Sequence, residues 1–197
     1  LEFKIRIIPD KELPLLLEVE PVKSLTNNKH VYYTFHSNKE GKLILEGDLE
    51  SRHTFVKIGN NRIMFNCKKN GTYNGAIKVM DRNRNISKPL VVSEFTVDRS
   101  KPILLDVKLL TSNKNSNFAK LNDDIKLYIK SNKGINVPKV YLIDQYIKPV
   151  IKNECEYEIN YKVTKSTTPG DVKFKISFSD SLKNKGDDVT TTTDKSS

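Results

Sequence analysis

Three times along the chain an extended tripeptide runs into Asp, a basic residue and a two-residue spacer: IIPDKELP (7–14), FTVDRSKP (95–102) and TTTDKSS (191–197). In the first two the spacer ends on Pro14 and Pro102. The match then continues at the same offset of 88 residues, LLLEV (15–19) against ILLDV (103–107). Self-similarity of this kind is the mark of tandem units. It restricts the fold more than composition does, because each unit has to close its own core within about 90 residues.

The far ends of the units correspond as well. GAIKVMDRNRN (75–85) and VKFKISFSDSLKN (172–184) alternate apolar and polar residues, then break at Asp81 and Asp180 into turns rich in Asn and Lys. A last strand follows each, PLVVSEFTVD or DDVTTTTD. The expected layout is the end of a preceding unit and linker at 1–13, one domain at 14–98, a linker at 99–101, a second domain at 102–194, and the start of another junction at 195–197. On this reading the chain is a segment of a longer array.

Seven period-two runs can be picked out in each unit, separated by turns of Gly, Asn and Asp. In the first they are PLLLEVEPV, HVYYTFH, KLILE, HTFVKI, NRIMFNC, GAIKVM and PLVVSEFTV. In the second they are PILLDVKLL, DIKLYIK, VPKVYLI, YIKPVI, CEYEINYKV, DVKFKISF and DVTTTT. No window keeps a helical period. Short strands at this spacing predict an all-β chain of two tandem seven-stranded immunoglobulin-like sandwiches joined by a short Asp-x-x-x-Pro linker.

The charge of +10 invites a nucleic-acid partner, but the distribution argues against one. The basic residues are spread over every segment, 28 Lys against 6 Arg, and there is no arginine-rich run. A hydrophobic content of 37% can supply modest cores, and no apolar stretch is long enough to span a membrane. Cys67 and Cys155 fall one in each unit without zinc spacing, so free thiols are expected rather than a disulfide framework.

The residues that could carry chemistry reduce to structural roles. His30 and His36 share a strand face about 20 Å apart, too far to share a metal, and His53 stands alone. Asp81, Asn83 and Asn85 imitate the opening of a calcium loop, but Ile86 replaces the required Gly and no closing Glu follows. Asp123 with Asp124 and Asp187 with Asp188 sit at strand starts. KNGTYNG reads as a tight turn, not a phosphate loop, and no nucleophile elbow occurs. No catalytic, metal or cofactor-binding residue is therefore expected, and the chain is not expected to be an enzyme. Two sequons, Asn70-Gly71-Thr72 and Asn85-Ile86-Ser87, make Asn70 and Asn85 candidate glycosylation sites in a secreted eukaryotic protein.

SNKNSNFAKLNDDIKLYI with VPKVYLI, NGTYNGAIKVMDRNRNIS and FTVDRSKP resembles the tandem immunoglobulin-like repeats of large bacterial surface proteins. The chain is also similar to the ectodomains of amoebal adhesion glycoproteins, whose sandwich domains are separated by comparable Asp-x-x-x-Pro junctions. The resemblance covers nearly the whole chain and carries over no catalytic residue. It departs from the bacterial pattern after the strand Asp, where Gly-Asn is usual. It implies an extracellular, cell-surface fragment acting in adhesion or recognition, through a protein on an apposed cell or through homophilic association. Any membrane attachment would come from an anchor outside the fragment. The alternative is a spacer or carbohydrate-binding accessory module of a secreted enzyme, for which Tyr32, Tyr128, Tyr141 and Tyr157 would be the stacking residues.

Overall fold

In a computed structural model, which describes residue 8 and residues 10–194, the chain is all-β, with fifteen strands and no helix among the described residues. Most of the preceding unit's end and linker expected at 1–13, and the junction expected at 195–197, lie outside the described residues. The chain divides into two compact units, Leu1–Arg99 and Ser100–Ser197.

The first unit contains β1 (Leu16–Glu20), β2 (Leu25–Thr26), β3 (His30–Ser37), β4 (Gly41–Gly47), β5 (Phe55–Val56), β6 (Gly59–Asn66), β7 (Gly71–Met80) and β8 (Leu90–Val97). They form a three-stranded sheet, β1-β3-β6, and a five-stranded sheet, β2-β8-β7-β4-β5. Alternation decides which side chains enter the core: Val31, Tyr33 and Phe35 of β3 are buried, while Tyr32 between them is exposed. Both sheets contribute to one cluster, with Ile63 and Phe65 from the smaller and Ile77, Val79, Phe95 and Val97 from the larger. An aromatic ladder ties them together. Ring centroids lie 5.8 Å apart for Tyr33 and Phe65, 6.3 Å for Phe65 and Phe95, and 5.6 Å for Phe95 and Tyr73.

Two local features shape this unit. After β1 the chain meets Pro21, which has no N–H for a ladder, and it leaves β3 to pair as β2, parallel to β8. KNGTYNG is not a turn as expected: Gly71 already begins β7, and a register shift between Tyr73 and Gly75 absorbs the extra residue. At Gly75 a Cβ would stand 2.1 Å from Glu46 O, so glycine is what lets β7 lie this close to β4.

The second unit contains β9 (Leu104–Thr111), β10 (Asp124–Ser131), β11 (Lys139–Leu142), β12 (Gln145–Ile147), β13 (Val150–Ile151), β14 (Glu156–Lys162) and β15 (Phe174–Ser177). The sheets are β13-β14-β10-β9 and β12-β11-β15. They share a core that includes Val107, Leu127, Ile129, Val140, Ile159 and Ile176. Here too the strands differ from expectation for visible reasons. YIKPVI is two strands, since Pro149 cannot donate to a ladder, and the chain crosses from β11 to β14 at that point. DVTTTT is reduced to a single bridge between Val189 and Ile176. In the first unit the aligned FTV buries Phe95 and Val97, whereas Thr191 and Thr193 are exposed and offer nothing to the core. Thr193 is held instead by β9, donating its N–H to Val107 O.

Candidate functional site

One polar arrangement occurs in both units, where the chain enters its first strand. In the first unit, Asp81 accepts from the N–H of Asn83 and Asn85 and from Asn85 Nδ2, all at 2.9 Å. Lys39 reaches it at 3.5 Å and also binds Asp10 at 2.6 Å and Glu12 O. In the second unit, Asp180 accepts from the N–H of Asn184 at 2.8 Å and from Asn184 Nδ2 at 2.9 Å. Lys133 pairs with it at 2.7 Å and donates to Ser100 O. The lysines belong to equal tripeptides, Ser37-Asn38-Lys39 and Ser131-Asn132-Lys133. Asn38 accepts from Leu15 N–H and Asn132 from Ile103 N–H, while each serine donates to its own lysine's carbonyl. The fourth residue of each Asp turn, Arg84 or Lys183, has φ near 66–68°, which closes the loop on the carboxylate.

Asp81 is 7% and Asp180 4% exposed. Burial works against their charge, but the Asn donors and the lysine outweigh it and hold both carboxyls below the usual range. The arrangement is a fastening between the entry segment and two turns. Its groups satisfy one another.

The two units differ on the outer faces of the sheets containing β3 and β10. In the second unit this face is mainly a lattice of compensated charge, with Leu110 and Val150 exposed beside Lys126 and Glu158. Lys108 meets Asp106 at 2.6 Å, Lys130 meets Glu156 at 2.9 Å, and Lys126 and Lys152 flank Glu158 at 3.5 and 3.0 Å. Lys130 and Lys152 hold Glu156 and Glu158 below their ordinary range. Such a face is well hydrated and gains little from being covered.

The first unit's face is of another kind. Tyr32 is 50% exposed with the Arg62 guanidinium 4.1 Å from its ring centre. Met64 lies opposite Tyr32 on β6, and His36 Nδ1 lies 3.1 Å from Asn60 Oδ1. Opposite His36 on the other side is Leu17 of β1. Glu18 and Glu20, the charges of β1, are exposed and accept from the Tyr33 and Thr34 hydroxyls at 2.9 Å. Burial and this carboxylate push the Tyr33 phenol up. Tyr, Arg, Met and aliphatic side chains together are the composition of contact surfaces.

The other sequence candidates are dispersed. His30 is at the start of β3, and His53 lies before β5, where Nδ1 is 3.2 Å from Ser51 Oγ. Asp123 caps its own loop through Asn113 and Lys120, Asp124 pairs with Lys162, Asp187 with Lys101 and Asp188 with Lys175. Among the described residues, no group of three His, Cys, Asp or Glu could hold a metal ion. Tyr157 is 2% exposed, its hydroxyl donating to Ile135 O, so it offers no stacking plane. Tyr141 packs edge-on to Tyr146, and Tyr128 stands in the charged lattice opposite Lys108.

Asn70 is exposed, and its Oδ1 accepts from Arg99 N–H and Nε at 3.2 Å. Arg99 also donates to the carbonyls of Cys67 and Lys68. Asn85 is different, because both hydrogens of its carboxamide nitrogen are donated, to Asp81 Oδ2 and Asp10 O. Both cysteines are free. Cys67 is 1% exposed, and burial pushes its thiol up against the pull of Arg99. A thiol reagent is therefore expected to modify Cys155 in the native chain and Cys67 only in denaturant. Equal native rates in a mass-resolved time course would contradict that core.

The outward Tyr32 of the first unit could not be told from Tyr128 of the second by alternation alone. The available signal was cross-strand register, which places Met64 and Arg62 beside Tyr32 but Lys and Glu beside Tyr128. Compared with known proteins, the chain matches no family model and no curated protein.

Proposed function

We propose that this chain is part of the ectodomain of a cell-surface protein that acts in adhesion or cell recognition, by non-catalytic protein binding through the β1-β3-β6 face of its first unit. The observation that carries this reading is the contrast between the outer faces. The second unit's lysines are matched by carboxylates, whereas the first presents Tyr32, Arg62, Met64 and Leu17, with Glu18 and Glu20 of the neighbouring strand held by hydroxyls of β3. Displacing water from such a surface is favourable, and Tyr and Arg are the side chains on which contact energy concentrates.

The fold we propose is a tandem of immunoglobulin-like sandwiches. In support, the first unit's split opening strand, with β1 on β3 and β2 parallel to β8, follows the strand order of such domains. The repeated fastening at Asp81 and Asp180 supports a modular array, because it ties each entry segment to its own unit. Of the two sequons, Asn70 is the acceptor this reading favours, since a glycan on Asn85 would remove a hydrogen bond of the fastening.

The reading is tested by titrating the fluorescently labelled fragment onto cells of its source, before and after mild surface proteolysis. Saturable binding that the proteolysis removes is expected. Binding that stays linear with concentration, or survives proteolysis, would favour the spacer role.

A further inference from the structure

We propose that β1 of the first unit pairs with β1 of a second copy of this chain, antiparallel about a two-fold axis at Leu17. This rests on the recognition reading above and specifies what its free edge takes. Among the described residues β1 is hydrogen-bonded to β3 alone, at the edge of its sheet. Leu13, Leu15, Leu17 and Val19, four successive odd positions, are 51%, 58%, 55% and 45% exposed. Soluble proteins guard such edges with charge, proline or covering segments. Here Pro14 and Pro21 lie outside β1, its bulge falls at Val19, beyond the Leu16–Glu18 stretch, and both of its carboxylates are engaged by hydroxyls of β3.

Backbone parity makes the second copy the specific occupant. Leu15 gives its N–H to Asn38 Oδ1 and its carbonyl accepts from Asn38 N–H, while Leu17 is paired with His36. Odd residues thus direct their backbone groups at β3. The N–H and carbonyl of Leu16 and Glu18 point away from the sheet, ready for another strand.

An axis at Leu17 sets Leu16 opposite Glu18 of the second copy, and Glu18 opposite Leu16 of that copy. These two pairs exchange their outward backbone bonds. Leu17 then meets its own counterpart in the close, non-hydrogen-bonded position, and Leu15 meets Val19. An axis at Glu18 would instead oppose two carboxylates. One strand therefore supplies both halves of a self-complementary contact, as a two-fold interface demands.

The corresponding strand of the second unit is closed to this pairing. Ile103 and Leu105 are also exposed there, but Val107 exchanges hydrogen bonds with Thr193, and Asp106 with Lys108 places an ion pair beside the edge. The pairing is confined to the first unit.

Sedimentation velocity from low to high micromolar concentration, at physiological salt so that the charge of +10 is screened, reads the equilibrium. The wild-type chain is expected to show a reversible monomer–dimer equilibrium. Leu17→Lys, at an exposed position, should weaken it by about tenfold or more with an unchanged thermal transition, because two ammonium groups meet at the axis. Leu105→Lys should leave it intact. A chain monomeric at every concentration, a dimer indifferent to Leu17→Lys, or one broken equally by Leu105→Lys would overturn the pairing. A monomer that still binds source cells would sink this inference and leave the recognition reading standing.

Discussion

Replacing Phe95 with alanine is expected to destabilise the first unit by about 3–5 kcal/mol, the usual cost of removing a fully packed aromatic. Phe95 is 1% exposed and stands between Phe65 of one sheet and Tyr73 of the other, so its loss empties the middle of the ladder. Single domains have roughly 5–15 kcal/mol of net stability, so the first unit should melt well below its own wild-type transition. For a unit of about 100 residues the shift is at least about 12 °C. The residues that cluster around Phe95 are all in the first unit, while those around Leu127 and Ile159 are all in the second. Calorimetry of Phe95→Ala should therefore show one transition moving down and the other staying in place. A common shift of both would mean that the units fold as one body.

The second large effect is expected at Asp180. Its carboxylate is 4% exposed, paired with Lys133 at 2.7 Å and hydrogen-bonded twice by Asn184. Asp180→Ala leaves the Asn184 N–H and Nδ2 without the carboxylate they donate to and takes the counter-charge from Lys133, whose side chain is 24% exposed. The expected cost is about 3 kcal/mol, the low end for breaking a buried pair, because Lys133 keeps some access to water. Since folding lowers the carboxyl pKa, the stabilisation is complete above the ordinary Asp value. It is lost as pH falls from near 4 toward the folded value. Wild-type stability of the second unit should thus decline on acidification through that window. Asp180→Ala should be less stable at neutral pH but lose less of its remaining stability across the same window, as followed by chemical denaturation at each pH. Parallel pH profiles for the two proteins would assign the loss to other carboxylates.

The fastening illustrates what could be read along the chain and what could not. Its first part, the Asp-basic-x-x-Pro junction, recurs at an offset of 88 and stands out. Its third part, the Asp turn, recurs at 99, from Asp81 to Asp180, and is visible as a strand end. The middle part, Ser-Asn-Lys, recurs at 94 and escapes a comparison made at one offset, because the loops between the parts differ in length. Only folding brings the three together. Alternation similarly disclosed the strands, since Val31, Tyr33 and Phe35 or Ile125, Leu127 and Ile129 leave few other choices.

The failures follow from non-local terms. YIKPVI alternates well enough for one strand, yet Pro149 divides it between sheets. DVTTTT has strand propensity but no inward apolar side chains, and one bridge is all it makes. Above all, Tyr32 and Tyr128 occupy comparable outward positions. What separates a contact face from a hydrated one is the neighbour across the strand, a property of register rather than of local sequence.

The account's central claim is that recognition belongs to the outer face of the first unit. It is tested most directly by comparing two double variants in the cell-binding titration, Tyr32→Ser with Arg62→Glu on that face and Lys126→Ser with Lys130→Ser on the second unit's lattice. All four positions are outward, and surface substitutions of this sort change stability little. The first pair is expected to weaken binding by at least about tenfold, roughly 1.4 kcal/mol, with its thermal transitions unchanged. The second pair should bind like the wild type. Loss of binding in the lattice variant with retention in the Tyr32 and Arg62 variant would contradict the claim and move the recognition surface to the second unit.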